Sequence, residues 1–173
     1  MNKKLLTAIA LILTLTASCF ASATTTDENV SQAPGEIKYF KFCLWPGLGW
    51  PKESTIKGVN LGLINYNNAY PVSGLEFALL GSTTENVRGL ELSTLFNNNL
   101  EFQGFGMSVF NNAENLSGGA QIGIVNKADN FYSGLQLGIL NIASGTLGVQ
   151  VGLINIMDNG FLPVFPFFNF SNN

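Results

Sequence analysis

Gly134-Leu135-Gln136-Leu137-Gly138-Ile139-Leu140-Asn141 is the stretch on which the fold turns. Its second, fourth and sixth residues are apolar while its third and fifth are polar or small, so alternate side chains point to opposite sides, as they do in a β-strand. The octad returns as Gly148-Val149-Gln150-Val151-Gly152-Leu153-Ile154-Asn155 and, upstream, as Gly119-Ala120-Gln121-Ile122-Gly123-Ile124-Val125-Asn126. Units of this kind begin at Gly58, Gly74, Gly89, Gly104, Gly119, Gly134 and Gly148, 14 to 16 residues apart. Repetition at a fixed period outranks local propensity, because it sets the architecture.

Aligned on the glycine, the second, fourth and sixth positions are apolar throughout, Thr94 excepted. The third position is Asn60, Glu76, Glu91, Gly106, Gln121, Gln136 and Gln150, and the fifth is always Gly, Ala or Ser. The expected arrangement puts the apolar rows into a core and the third and fifth positions outside. A seventh apolar residue breaks the alternation and marks a corner. The eighth is Asn65, Asn111, Asn126, Asn141 and Asn155, a residue that tolerates tight corners and can form stacked amide ladders. Units two and three place Gly81 and Phe96 there instead. Each unit closes with a polar turn and an apolar residue before the next glycine, Val72, Val87, Phe102 and Tyr132 among them.

Outside the array the chain changes character. Residues 1–23 carry Lys3 and Lys4, an apolar run from Leu5 to Leu15 and the small-residue site Ala21-Ser22-Ala23, the three parts of a secretory signal peptide cleaved after Ala23. Cys19 offers a competing outcome, lipid attachment at the end of the apolar run. Residues 24–35 read as a flexible polar leader, 36–57 as an N-terminal strand and cap, 58–160 as the seven-unit array and 161–173 as a C-terminal aromatic cap. Loss of the signal leaves six basic residues against eleven acidic ones, a net charge of −5. That balance argues against nucleic acid as a partner.

Two all-β architectures fit such units. In an up-and-down barrel successive turns lie at opposite rims and alternate in character, whereas here each unit ends in a similar turn. The pattern therefore predicts a β-solenoid of about seven 15-residue coils. A small outer-membrane β-barrel is the alternative, since alternation between turns is also its signature. Pro163 and Pro166 suit the tail to a terminal cap that stops further pairing, with Phe161, Phe165, Phe167 and Phe168 covering the last coil.

Phe42-Cys43-Leu44-Trp45-Pro46-Gly47 before the array, the octad at Gly134 within it and Pro163-Val164-Phe165-Pro166-Phe167-Phe168-Asn169-Phe170 after it together resemble the surface-repeat-containing exported proteins first catalogued in spirochaetes. The resemblance covers residues 41–173. It implies an exported protein of the periplasm, outer membrane or cell surface and carries no catalytic residues with it.

Chemistry is sparse. The chain has no histidine, which removes the commonest general base and metal ligand, and no cofactor or metal set is apparent. Glu76 and Glu91 occupy the same position in adjacent units, so a solenoid brings two carboxylates to roughly 5 Å, close to the spacing of a retaining glycosidase. On a flat outer face without a cleft they read as a solvated pair. Gln121, Gln136 and Gln150, with Glu76 and Glu91, form the candidate interaction face: a polar row beside a shallow groove of small residues, suited to a glycan or an extended protein strand. Cys43 reads as a buried small apolar residue. The expectation is a non-catalytic envelope or surface protein with a structural or adhesive role, its partner an unidentified envelope component, with membrane contact through lipidated Cys19 or as a barrel.

Overall fold

The computed structural model describes residues 36–52, 54–67, 70–145 and 147–171. The expected signal peptide, Cys19 and the leader lie outside the described residues. Every regular element among the described residues is a β-strand: β1 (Glu36–Trp45), β2 (Leu48–Trp50), β3 (Ser54–Asn67), β4 (Val72–Ser93), β5 (Phe96–Met107), β6 (Phe110–Ile122), β7 (Val125–Phe131), β8 (Gly134–Gly145), β9 (Gly148–Met157) and β10 (Val164–Phe170).

The strands join one ten-stranded sheet in the order β10-β9-β8-β7-β6-β5-β4-β3-β1-β2. From β1 to β9 each neighbour is parallel, and the repeat sets the register: Gly134 lies beside Gly148, Gln136 beside Gln150, Gly138 beside Gly152 and Asn141 beside Asn155. Parallel neighbours one unit apart require the chain to coil around an axis. The protein is a β-solenoid and not a barrel. β1 extends the stack, with Phe40 beside Val59 and Phe42 beside Leu61. Residues 36–57 therefore supply a further rung as well as a cap.

Both ends close with strands that run the other way. β2 pairs antiparallel with β1, and β10 pairs antiparallel with β9, the register breaking between Phe165 and Phe167 around Pro166. The rings of Phe161, Phe165, Phe168 and Phe170 pack at centroid separations of 5.4 to 6.5 Å. Phe167, expected in this cap, points away, is 69% exposed and adopts a positive φ of 73°. Asn169 closes the interior instead, fully buried beside Gln150.

The main correction concerns which residues face inward. An apolar core runs through Val87, Phe102, Leu116 and Phe131 on one side and Ala113, Ala128, Ala143 and Met157 on another. In the fifth unit it is Phe131, not Tyr132, that turns in. The second, fourth and sixth positions, expected inside, lie on the outer surface, and the third position lies inside. Strand alternation was read correctly and its sense was reversed. The apolar core is supplied by the return strands, so the octad strand is free to present polar side chains inward, provided that they pair with one another.

At the eighth position they do. Asn97 donates to Asn111 at 3.0 Å, and Asn111 to Asn126, Asn126 to Asn141 and Asn141 to Asn155 at 2.8 Å each. The second amide hydrogen goes to a carbonyl of the next rung: Asn111 to Ile122 at 2.8 Å, Asn126 to Leu137 at 2.8 Å and Asn141 to Val151 at 3.0 Å. Unit three is not an exception, and unit two places a serine at the corner. One extra residue precedes the corner, so Gly81 and Phe96 pair with Ile64 and Phe110, while Ser82 and Asn97 fall in line with Asn65 and Asn111.

The initial glycines stack directly. Gly119 has φ +111°, and a Cβ built on it would overlap the carbonyl oxygen of Gly104 on the adjacent rung. Gly47, in the turn between β1 and β2, has φ +84° but nothing within 4 Å of such a Cβ. Gly47→Ala should therefore cost about 1 kcal/mol for its conformation alone, and Gly119→Ala more than about 3 kcal/mol because adjoining rungs must part. Equal shifts in urea unfolding midpoint for the two variants would refute the close approach as the reason for glycine.

Candidate functional site: an outer apolar face and buried carboxylates

The residues expected to form a polar outer face are interior. Glu76, Glu91, Gln136 and Gln150 are 0% exposed and Gln121 is 2% exposed. No glycan or peptide reaches them, and the glycosidase spacing of Glu76 and Glu91 has no route for a substrate. The glutamines bond along the axis, Gln136 donating to Gln121 at 2.9 Å and Gln150 to Gln136 at 2.8 Å. A buried amide costs little when its partner is the same group one rung away.

The small fifth position is likewise interior. A Cβ at Gly138 would lie within 2.6 Å of Asn126 Nδ2 and 3.0 Å of Asn141 Oδ1, so the small side chains leave room for the asparagine ladder rather than a groove outside. Ser108 occupies the same position and donates to Asn111 Oδ1 at 2.9 Å.

Toward the N-terminal end the third-position column becomes charged. It runs Lys41, Asn60, Glu76, Glu91 and then Gly106, where the Phe102 ring fills the space. Glu76 Oε1 accepts from Ser82 at 2.7 Å, Asn60 at 3.0 Å and Thr84 at 3.0 Å, and Glu91 Oε2 accepts from Asn99 at 2.7 Å. Lys41, 5% exposed, donates to Asn67 Oδ1 at 3.0 Å. Among the described residues, Glu76 Oε2 and Glu91 Oε1 have no hydrogen-bond partner. Lys41 belongs to this cluster because β1 stacks on the array in register, which its cap-like sequence did not disclose.

Burial raises the Glu76 carboxyl above its ordinary range, against hydrogen bonds from Ser82, Thr84 and Asn65 and the charge of Lys41. Glu91 is pushed up to about 8, by burial first and by the charge of Glu76 second, with Asn99 and Ser82 acting in the opposite sense. Burial also lowers Lys41, against the charges of Cys43 and Glu76.

Outside, the second and fourth positions line up across the stack as two adjacent apolar columns from β1 to β10. Phe77, Phe105, Met107, Val149 and Val151 are 37 to 44% exposed, and the residues between them are partly covered by their neighbours. The ends of the columns are aromatic: Phe40, Phe42 and Trp50 at one, Phe168 and Phe170 at the other. No charged residue falls in either column. The signal that could have identified this face was the third position itself: Gln121, Gln136 and Gln150 repeat identically, as a ladder demands, whereas a solvated row has no reason to. Cys43 is buried, as expected, 3.5 Å from the carbonyl oxygen of Trp45.

Comparison with protein-family models, with curated proteins and with solved structures finds no match.

The Glu91 proton makes stability depend on pH. An acid held near 8 in the fold, against an ordinary value of 4.5, keeps its proton in the folded chain and releases it in the unfolded one throughout that window. The contribution of Glu91 is therefore fully present below about 4.5 and is lost as pH rises toward 8. Glu91→Gln, which extends the neutral amide column, should raise the melting temperature at pH 8.5 by much more than at pH 5. Equal effects at both pH values would show that Glu91 is not protonated in the fold.

Proposed function

We propose that this chain is a non-catalytic protein of the bacterial cell envelope or surface, exported by its N-terminal segment, with a structural or adhesive role exercised through the outer apolar face. The observation that carries the reading is the inversion of the octad strand. Its polar side chains are consumed by the interior, while an uncharged apolar strip runs the length of the rod, and apolar strips of that extent on a folded protein mark interaction surfaces. The surface-repeat resemblance points to the same compartment. A recognition surface of this composition suits an apolar partner surface better than a glycan, which would need exposed hydrogen-bonding groups beside the rings.

A test follows in a Cys19→Ser background, where lipid attachment at that residue plays no part. A tagged chain should stay with the envelope fraction of its host after osmotic shock. Phe77→Asp with Met107→Asp, both on the outer face, should leave the circular dichroism spectrum unchanged and release the protein. Recovery of the parent chain in the cytoplasmic fraction would refute the envelope assignment, and identical retention of parent and variant would refute the role of the face.

A further inference from the structure

We infer that the outer apolar face is occupied by a second copy of this chain, packed sheet to sheet with its solenoid axis antiparallel to the first. The inference rests on the reading that this face is the protein's working surface, and it names the partner.

Area is the first argument. The face crosses ten rungs, from Trp50 on β2 to Phe168 on β10. At a strand spacing of about 4.8 Å that is roughly 43 Å, and two columns of outward side chains make it about 15 Å wide. Burying it against a copy removes roughly 650 Å² from each chain, about 1,300 Å² in all, within the range of stable protein pairs.

The second argument is the order of side-chain sizes. An antiparallel two-fold axis passes between the central rungs, those of Leu92 and Met107. The rung of Ala120 and Ile122 then faces the rung of Leu75 and Phe77 with the columns in line, so Ala120, the smallest residue of the face, meets Leu75 and Ile122 meets Phe77. The rung of Val149 and Val151 faces Phe40 and Phe42. Large residues thus meet small ones at these two pairs of rungs, while at the ends Phe168 and Phe170 meet Trp50. A parallel pair would cross the columns rung by rung and set Phe77 against Leu75 and Ala120 against Ile122, crowding one rung and leaving a void at another.

A lipid surface is the other candidate for an apolar face, and the borders speak against it. Elements that lie on a bilayer carry Lys and Arg along their polar edge. Here one border is the apolar sixth position, with Leu79, Ile124, Ile139 and Leu153 exposed, and the other is the residue before each glycine, where Lys57 and Arg88 stand in the first and third units and Ser73, Gln103, Gly118, Ser133 and Leu147 in the other five. Lys38 and Lys127 are tied to Glu36 and Asp129 at 2.6 Å. Basic residues are confined to two of the seven units and do not make a continuous row along the face.

The chain, purified as its host processes it, should sediment as a dimer. Phe77→Asp should raise the dissociation constant by at least about tenfold. Ala120→Phe is the sharper variant: it adds apolar surface, which a bilayer would accept, but it overfills the position facing Leu75 on the copy and should also give monomer. Combining it with Leu75→Ala should restore the dimer. A parent chain that stays monomeric, or Ala120→Phe that still dimerises, overturns the proposal. If the monomeric parent floats with phosphatidylcholine vesicles and Phe77→Asp does not, the second copy is wrong and the apolar working face stands. If parent and variants neither associate nor float, both readings fall.

Discussion

An amide enclosed between two rungs can use both of its hydrogens only if the next rung offers an acceptor at the same height. The asparagine corner meets that condition with a side-chain oxygen and a backbone carbonyl at once, as Asn126 does with Asn141 and Leu137. Slipping one rung by a residue would leave both groups unpaired in a closed interior, at a cost of about 1 to 3 kcal/mol each. From Asn97 to Asn155 this repeated bond fixes the register of the parallel rungs.

The same requirement accounts for the composition of the rest of the coil. Once an axis-parallel amide column occupies one wall of the interior, the adjoining position has room only for glycine, alanine or serine, and the remaining volume is divided between a large apolar residue and a small one, such as Phe131 and Ala128. The apolar residues of the octad are left outside because the interior is already full. The exposed strip is thus a product of how the inside is packed.

Much of this was legible before any coordinates. The period of two, the unit boundaries at successive glycines, the preference for a coil over a barrel and the asparagine ladder are all contained in the order of residues. The sense of the strand was not, because alternation is symmetric: it states that Leu135 and Gln136 point apart without stating which points in. The usual preference for apolar interiors decided wrongly there, since it takes no account of identical amides one rung apart. The offset in units two and three escaped for a related reason. Counting from the glycine puts Gly81 and Phe96 at the corner, and only the pairing of Asn97 with Asn111 reveals the additional residue. With the sense reversed, the polar row proposed as a contact surface became the interior, and Lys41 entered the carboxylate cluster from a segment that read as a cap.

Because β2 and β10 run against the rest, each end is sealed by a segment that is not itself a repeat and that bonds to a rung of ordinary form. Neither seal depends on how many rungs lie between them. Duplication or loss of a whole unit in the gene would lengthen or shorten the rod by one strand spacing while preserving both termini and the cross-section. Rod length can thus change during descent in single quantised steps.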